Sequence, residues 1–183
     1  MGACSRTMLP VGEGVALQSR SADGVRLSSA FDVAVYGCDS RNHLTIILIA
    51  GSIEHPQRVL TMRTGWEPVA GKTPVDSQAT NTTLHYAVFT SEKDEEGELG
   101  IYSGAGFVYL YSEPGESELN IGVWDSAVKL MDRTSGFHDL VGQGVVSGRA
   151  AVRRDDVETQ RLLQKLGEHF SRRLGYPRLA QAK

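Results

Sequence analysis

The 183-residue chain is 40% hydrophobic and 22% charged, an ordinary balance for one domain that buries a core and unlike that of a disordered segment. Its longest apolar stretch, Ile46 to Ala50, is far short of the roughly 20 residues with which a helix crosses a bilayer. A net charge of −3 and a pI near 5.9 argue against a general nucleic-acid binder, because affinity for phosphates is driven by Lys and Arg.

Residues 1–23 are rich in Gly, Ser and other small residues, with an apolar patch at Val15-Ala16-Leu17, and read as a leader or a first edge strand. From Val25, the residues Val25, Leu27, Phe31, Val33 and Val35 alternate with small or polar ones, as a half-buried strand requires, up to Tyr36-Gly37-Cys38-Asp39. Leu44 to Ala50 is a near-continuous apolar run that suits a strand buried on both faces. Val59 to Trp66 alternates again, and Pro68, Gly71 and Pro74 then punctuate a long connection. Thr82 to Thr90 puts Leu84, Tyr86 and Val88 on one face and His85, Ala87 and Phe89 on the other. The polar stretch from Ser91 to Glu98 reads as a solvated hairpin tip that discourages edge-to-edge aggregation. Leu99 to Tyr111 and Leu119 to Met131 are two further strands. The sequence Glu113-Pro114-Gly115-Glu116 joins them as a tight turn. Within the first of them, Gly104-Ala105-Gly106-Phe107 marks a bulge or a close approach by the backbone. Val145 to Val152 supplies a last strand.

The spacing predicts one helix, over residues 155–174. Asp155 with Glu158 has capping-box spacing, and both carboxylates suit the positive end of the helix dipole. Leu163, Leu166, Phe170 and Leu174 follow at steps of three and four, with Val157 and Leu162 assigned to the same side. Arg172 and Arg173 occupy the last turn, and Gly175 before Tyr176-Pro177 reads as a left-handed stop. Gly167, which costs roughly 1 kcal/mol in a helix, implies that something lies close against it.

About seven or eight strands joined by turns favour antiparallel pairing in a β-sandwich or open barrel with one C-terminal amphipathic helix. The expected organisation is a flexible leader or edge strand over 1–23 and a single domain over 24–178, with no internal repeat. Residues 149–183 hold nine basic and four acidic residues, +5, against −8 for residues 1–148. That asymmetry reads first as a solvated basic helix and second as a contact with an acidic partner or membrane surface.

The two cysteines, Cys4 and Cys38, are too few for a disulfide framework, although an oxidising compartment would allow them to pair. Gly2-Ala3-Cys4-Ser5 resembles the end of a bacterial lipobox, in which small residues precede the cysteine that is lipidated. The resemblance covers these few residues, and the apolar stretch that precedes a lipobox does not stand before them in this sequence. It implies a lipoprotein of the cell envelope that meets the membrane only through a lipid on Cys4; a cytoplasmic location is the alternative.

No chemical motif is complete. Gly65 and Gly71-Lys72-Thr73 resemble a phosphate loop, but five residues separate the glycines where the motif has four, and Pro74 follows in place of a helix. The five histidines never recur at metal-ligand spacing, and the acidic residues from Glu92 to Glu98 lack the alternation of a calcium loop. Asn81-Thr82-Thr83 is a glycan acceptor only on a eukaryotic secretory route. No cofactor, metal or catalytic residue is assigned.

The expected role is therefore a non-enzymatic interaction or structural domain that binds an envelope protein or a glycan, not nucleic acid. Its candidate binding residues are Trp66 as aromatic anchor, Asp76 and Asn81, all in one long connection. A hydrolase assembled around His85, His138 and Asp76 is one alternative, with His138-Asp139 as an adjoining base and acid. A small-ligand carrier is another, with room near Gly104 to Phe107 for a flat ligand against Tyr102, Tyr109 and Trp124. A deep polar pocket would mark the enzyme, a dry cavity the carrier and a filled core the interaction domain.

Overall fold

The computed structural model describes residues 14–21, 24–65, 80–90 and 97–177. Nine strands and one helix follow in the order β1 (Ala16–Ser19), β2 (Arg26–Ser28), β3 (Val33–Cys38), β4 (Leu44–Gly51), β5 (Pro56–Thr64), β6 (Thr82–Phe89), β7 (Leu99–Leu110), β8 (Glu118–Arg133), β9 (Gln143–Arg154) and α1 (Asp156–Leu174). The protein is thus mainly β with one C-terminal helix, as its sequence predicts. All nine strands belong to one sheet, and the sheet closes on itself. From β3 to β9 each strand is antiparallel to the next, and β9 then returns to β3 through a short parallel pairing, Val35 with Arg153 and Tyr36 with Arg154. Closure removes most of the free edge that an open sheet would expose.

The apolar patch at Ala16 and Leu17 lies in a strand, β1, but not at an edge: it is held between β2, the outer strand, and the start of β9. The run read as one strand from Val25 to Val35 is two, β2 and β3. Its period-two pattern continues across a corner at residues 29–32, which other parts of the chain hold. Arg58 Nη1 donates to Ser28 O and Ser29 Oγ, Asp32 N–H to Ile49 O, and Gly51 N–H to Asp32 Oδ2.

Alternation sorts the side chains into two cores. Tyr36, Leu44, Ile46, Leu48, Leu60, Met62, Leu84, Tyr86, Tyr102, Val108, Ile121 and Val152 point inward and fill the barrel. Val35, Ile47, Ile49, Val59, Ala87, Leu99 and Ile101 point outward and meet Leu162, Leu166 and Phe170 of α1. The β4 run is apolar throughout because one of its faces lines the barrel and the other lies under the helix. Each fully buried Leu or Phe of α1 contributes roughly 1.5–3 kcal/mol, and truncating Leu166 would cost about 2–5 kcal/mol.

The helix begins at an N-cap, Asp155, whose side chain accepts the Glu158 N–H at 3.0 Å. The capping box is only half formed, because Glu158 turns to Arg161 and the Asp155 N–H donates to Tyr36 O. At the other end Gly175 adopts φ 78° and its N–H closes on Ser171 O. Gly167 is buried, as its presence in the helix implies. Val157, by contrast, is 80% exposed and does not belong to the apolar stripe. Five residues separate it from Leu162, which at 3.6 residues per turn turns it about 140° away.

One end of the barrel is plugged by the segment after β8, which inserts Phe137 and Val141 into the interior core. Gly100 makes room for Phe137: a Cβ there would lie 2.2 Å from the ring. The Tyr102 hydroxyl donates to Asp139 Oδ1 at 2.6 Å, and Asp139 also accepts the N–H groups of Val141 and Gly142.

Candidate functional site

The outer face of β8 and β9, and of β7 beyond Ile101, lies outside the apolar cluster in which α1 meets β3 to β7. Its character is set by a bulge. Between Ala105 and Phe107 the pairing with β8 shifts by one, and the extra residue is Asp125 on β8, at φ 46°. The Asp125 N–H donates to Ser147 Oγ at 2.9 Å, which ties the bulge to β9. The Gly104 to Phe107 stretch contributes the close approach, since a Cβ on Gly106 would lie 1.8 Å from Ser126 Oγ. Trp124 alternates onto the outer face after buried Val123, and the bulge then switches the phase of β8, so that Ser126 and Val128 are the buried residues beyond it.

On the chain-terminal side of that bulge, Tyr109 of β7 and Arg149 of β9 flank Gly122 of β8. Tyr111 and Trp124 lean over the glycine: a Cβ at 122 would meet Tyr111 Oη at 2.8 Å and Trp124 Nε1 at 3.0 Å. The Arg149 guanidinium lies 5.1 Å from the Tyr111 ring centroid and 5.5 Å from that of Trp124, within cation–π range of both. Tyr111 is 51% and Trp124 43% exposed, and Arg149 has no acceptor among the described residues. The Phe107 and Tyr109 rings lie beside them, 4.8 Å apart and inclined at 58° to each other. Two aromatic faces therefore hold a planar cation whose N–H donors are unused, an arrangement suited to a carboxylate or other planar oxyanion.

On the far side of the bulge the outer face is polar. His85, Ser103, Lys129 and Gln143 stand opposite one another in register on β6 to β9, and the Arg20 N–H donates to Gln143 O. His85 Nδ1 lies 2.8 Å from Ser103 Oγ.

The sequence-predicted candidates fall elsewhere. Trp66 and Asp76 lie outside the described residues. Asn81 is 4% exposed: its Nδ2 donates to Val108 O and its Oδ1 accepts Val108 N–H, so its amide continues the β6–β7 ladder where the main chain turns away. His138 is exposed, whereas its neighbour Asp139 is engaged by Tyr102 and two backbone amides, so the pair is not assembled as base and orienting acid. Partial burial works to raise the Asp139 pKa, but those hydrogen bonds and nearby Arg133 outweigh it and hold the carboxyl below its ordinary range. Burial, then Asp139 itself, pushes the Tyr102 phenol far above its usual value. The flat-ligand space is divided too, since Tyr102 faces the barrel interior while Tyr109 and Trp124 face outward.

Cys38 is half-buried at the end of β3, and burial pushes its thiol up; Cys4 lies outside the described residues. Among the described residues no group of three or more His, Cys, Asp or Glu side chains could hold a metal ion. The basic charge near α1 is largely drawn into local pairs: Arg153 with Asp155, Arg154 with Asp156, Arg161 with Glu158, and Arg173 with Gly97 O.

The residues that sequence reasoning passed over are Tyr111, Arg149, Lys129 and Arg20. Strand alternation puts Arg149 on the same face as Gln143 and Trp124 on the face opposite Val123, but the register that sets Gly122 between Tyr109 and Arg149 has no signature in composition or periodicity. Comparison with known protein families, curated proteins and solved structures finds no match to this chain.

Proposed function

We propose that this protein is a non-catalytic binding domain of the bacterial cell envelope that holds an acidic saccharide on the outer face of β7 to β9. The observation that carries the reading is the exposed Tyr111–Arg149–Trp124 stack. Exposed aromatic rings offer apolar faces to the C–H side of a sugar ring, and the guanidinium beside them offers a fork of donors to its carboxylate. The crowded barrel interior, occupied by Tyr36, Tyr86 and Tyr102, favours this over a carrier with an internal ligand. The envelope location draws on Gly2-Ala3-Cys4. Trp66 and Asp76 belong to the same proposal as a second aromatic and polar contribution.

Calorimetric titration with oligogalacturonate, and with a neutral gluco-oligosaccharide as control, tests it. Trp124→Ala should weaken binding of both by about tenfold or more, the scale of a lost aromatic anchor. Arg149→Ala should abolish the preference for the carboxylated ligand. Neither should shift the unfolding midpoint appreciably, because both side chains are exposed. Absence of binding by the wild-type protein, or equal binding by the Trp124→Ala variant, refutes the assignment.

A further inference from the structure

Beyond the bulge lies a groove of about 240 Å³, separate from the aromatic stack, whose walls include Ala127 and Val128 as well as polar residues. Ser103 and Tyr111 are eight residues apart on and just beyond β7, which at about 3.3 Å per residue separates the two regions by roughly 25 Å. Arg20, Lys129, Ser103 and Gln143 line the groove, and Gly104 and Ala127 keep its floor low. These positions are distant in sequence, and the β7–β8–β9 register brings them together: Ser103 faces Lys129, and Lys129 faces Gln143. Arg20 is added by the β1 edge pairing, its N–H bonded to Gln143 O.

Both cations lack a counter-charge among the described residues. Neither Arg20 nor Lys129 has an ion-pair or side-chain hydrogen-bond partner, and among the described residues no acidic side chain lines the groove. Elsewhere on the molecule Arg153, Arg154 and Arg161 each have a carboxylate within 3.3 Å. Two cations lining one concave surface focus a positive field, so an anion entering the groove gains from both. Ser103, whose hydroxyl is positioned by His85, and the Gln143 amide supply neutral hydrogen-bonding groups between them.

The geometry points to a second binding site here, for a tetrahedral oxyanion of the phosphate-monoester or sulfate class. The site does not depend on saccharide binding at Tyr111, Trp124 and Arg149. The ester's non-bridging oxygens are shared between the Lys129 ammonium and the Arg20 guanidinium, with Ser103 and Gln143 setting orientation. The remainder of the ligand leaves through the open mouth of the groove, so the source of the oxyanion is a soluble ester or a lipid headgroup.

Phosphorus NMR and calorimetry with inorganic phosphate, followed by glycerol 3-phosphate, test the site in the intact protein, with chloride at equal ionic strength as control. Saturable binding should appear in the wild type and fall by about tenfold or more in Lys129→Glu and in Arg20→Glu. It should remain unchanged in Trp124→Ala, which separates failure here from failure of the saccharide reading. Flotation with phosphatidylcholine vesicles, with and without phosphatidic acid, decides the source. Lys129-dependent flotation with the acidic vesicles assigns a headgroup, and soluble binding without flotation assigns a free ester. No saturation at millimolar phosphate, or equal affinity in wild type and Lys129→Glu with unchanged circular dichroism, overturns the proposal.

Discussion

Gly100 and Phe137 form a tight interlock in the barrel, and a double substitution measures it. A methyl group at residue 100 would lie 2.2 Å from Phe137 Cε1 and 2.3 Å from Cζ, where carbon atoms prefer about 3.5–4.0 Å. The ring has little freedom to retreat. It is 4% exposed, stands edge-on to Tyr102 at 6.4 Å, and belongs to a segment fastened at several points. Glu98 accepts from Thr134 Oγ1 and Gly136 N–H, Arg133 donates to Phe137 O, and Asp139 accepts from Val141 and Gly142. Gly100→Ala should therefore cost about 1–3 kcal/mol through overpacking, although Ala itself returns about 0.4–1 kcal/mol by restricting the unfolded chain. Phe137→Ala alone should cost about 3–5 kcal/mol through the cavity it leaves. In that background the methyl at 100 fills vacated space, so the second substitution should be neutral or stabilising by up to about 0.8 kcal/mol. Urea unfolding followed by circular dichroism, extrapolated to water, yields the coupling, expected at about 1.5–3 kcal/mol. Phe137→Leu serves in place of Phe137→Ala if the latter leaves too little folded protein. An equal cost for Gly100→Ala in both backgrounds would refute the interlock.

The Asp139 carboxyl has a lowered pKa in the folded state, so its contribution to stability is complete above the unfolded value near 3.9 and is lost as pH falls through the folded one. Asp139→Asn should accordingly flatten the stability profile below about pH 5, read as the unfolding midpoint against pH; an unchanged acid limb counts against the Tyr102–Asp139 linkage. Asn81→Ala should cost about 2–4 kcal/mol, because both the N–H and the C=O of Val108 lose their partner. Hydrogen exchange at the Val108 amide should quicken selectively in that variant, and continued protection would show that the Asn81 amide is not its partner.

Local chemistry is legible in the chain because it is set by neighbours. The alternation at Leu84, Tyr86 and Val88, the Pro114-Gly115 turn, the Asp155 cap and the Gly175 stop each obey a rule that operates within a few residues. Val157 shows the limit even there: an apolar residue in the first helical turn is easily counted into a stripe that the 3.6-residue period excludes. Asn81 shows another limit, since a polar residue beside a long connection resembles a binding group while its amide completes a sheet.

The primary structure alone determined a mainly β chain ending in one amphipathic helix, because side-chain periodicity reports how many faces each segment must hide. Tertiary structure decided that the sheet closes through Val35 and Tyr36 against Arg153 and Arg154. It decided, too, that the pairing of Gly122 with Tyr109 and with Arg149 sets Trp124 and Tyr111 around the Arg149 guanidinium. Register across strands dozens of residues apart depends on which pairings satisfy all backbone groups at once, and no local window contains that information. The pairing of Ser103 with Lys129, and of Lys129 with Gln143, places them beside Arg20 for the same reason.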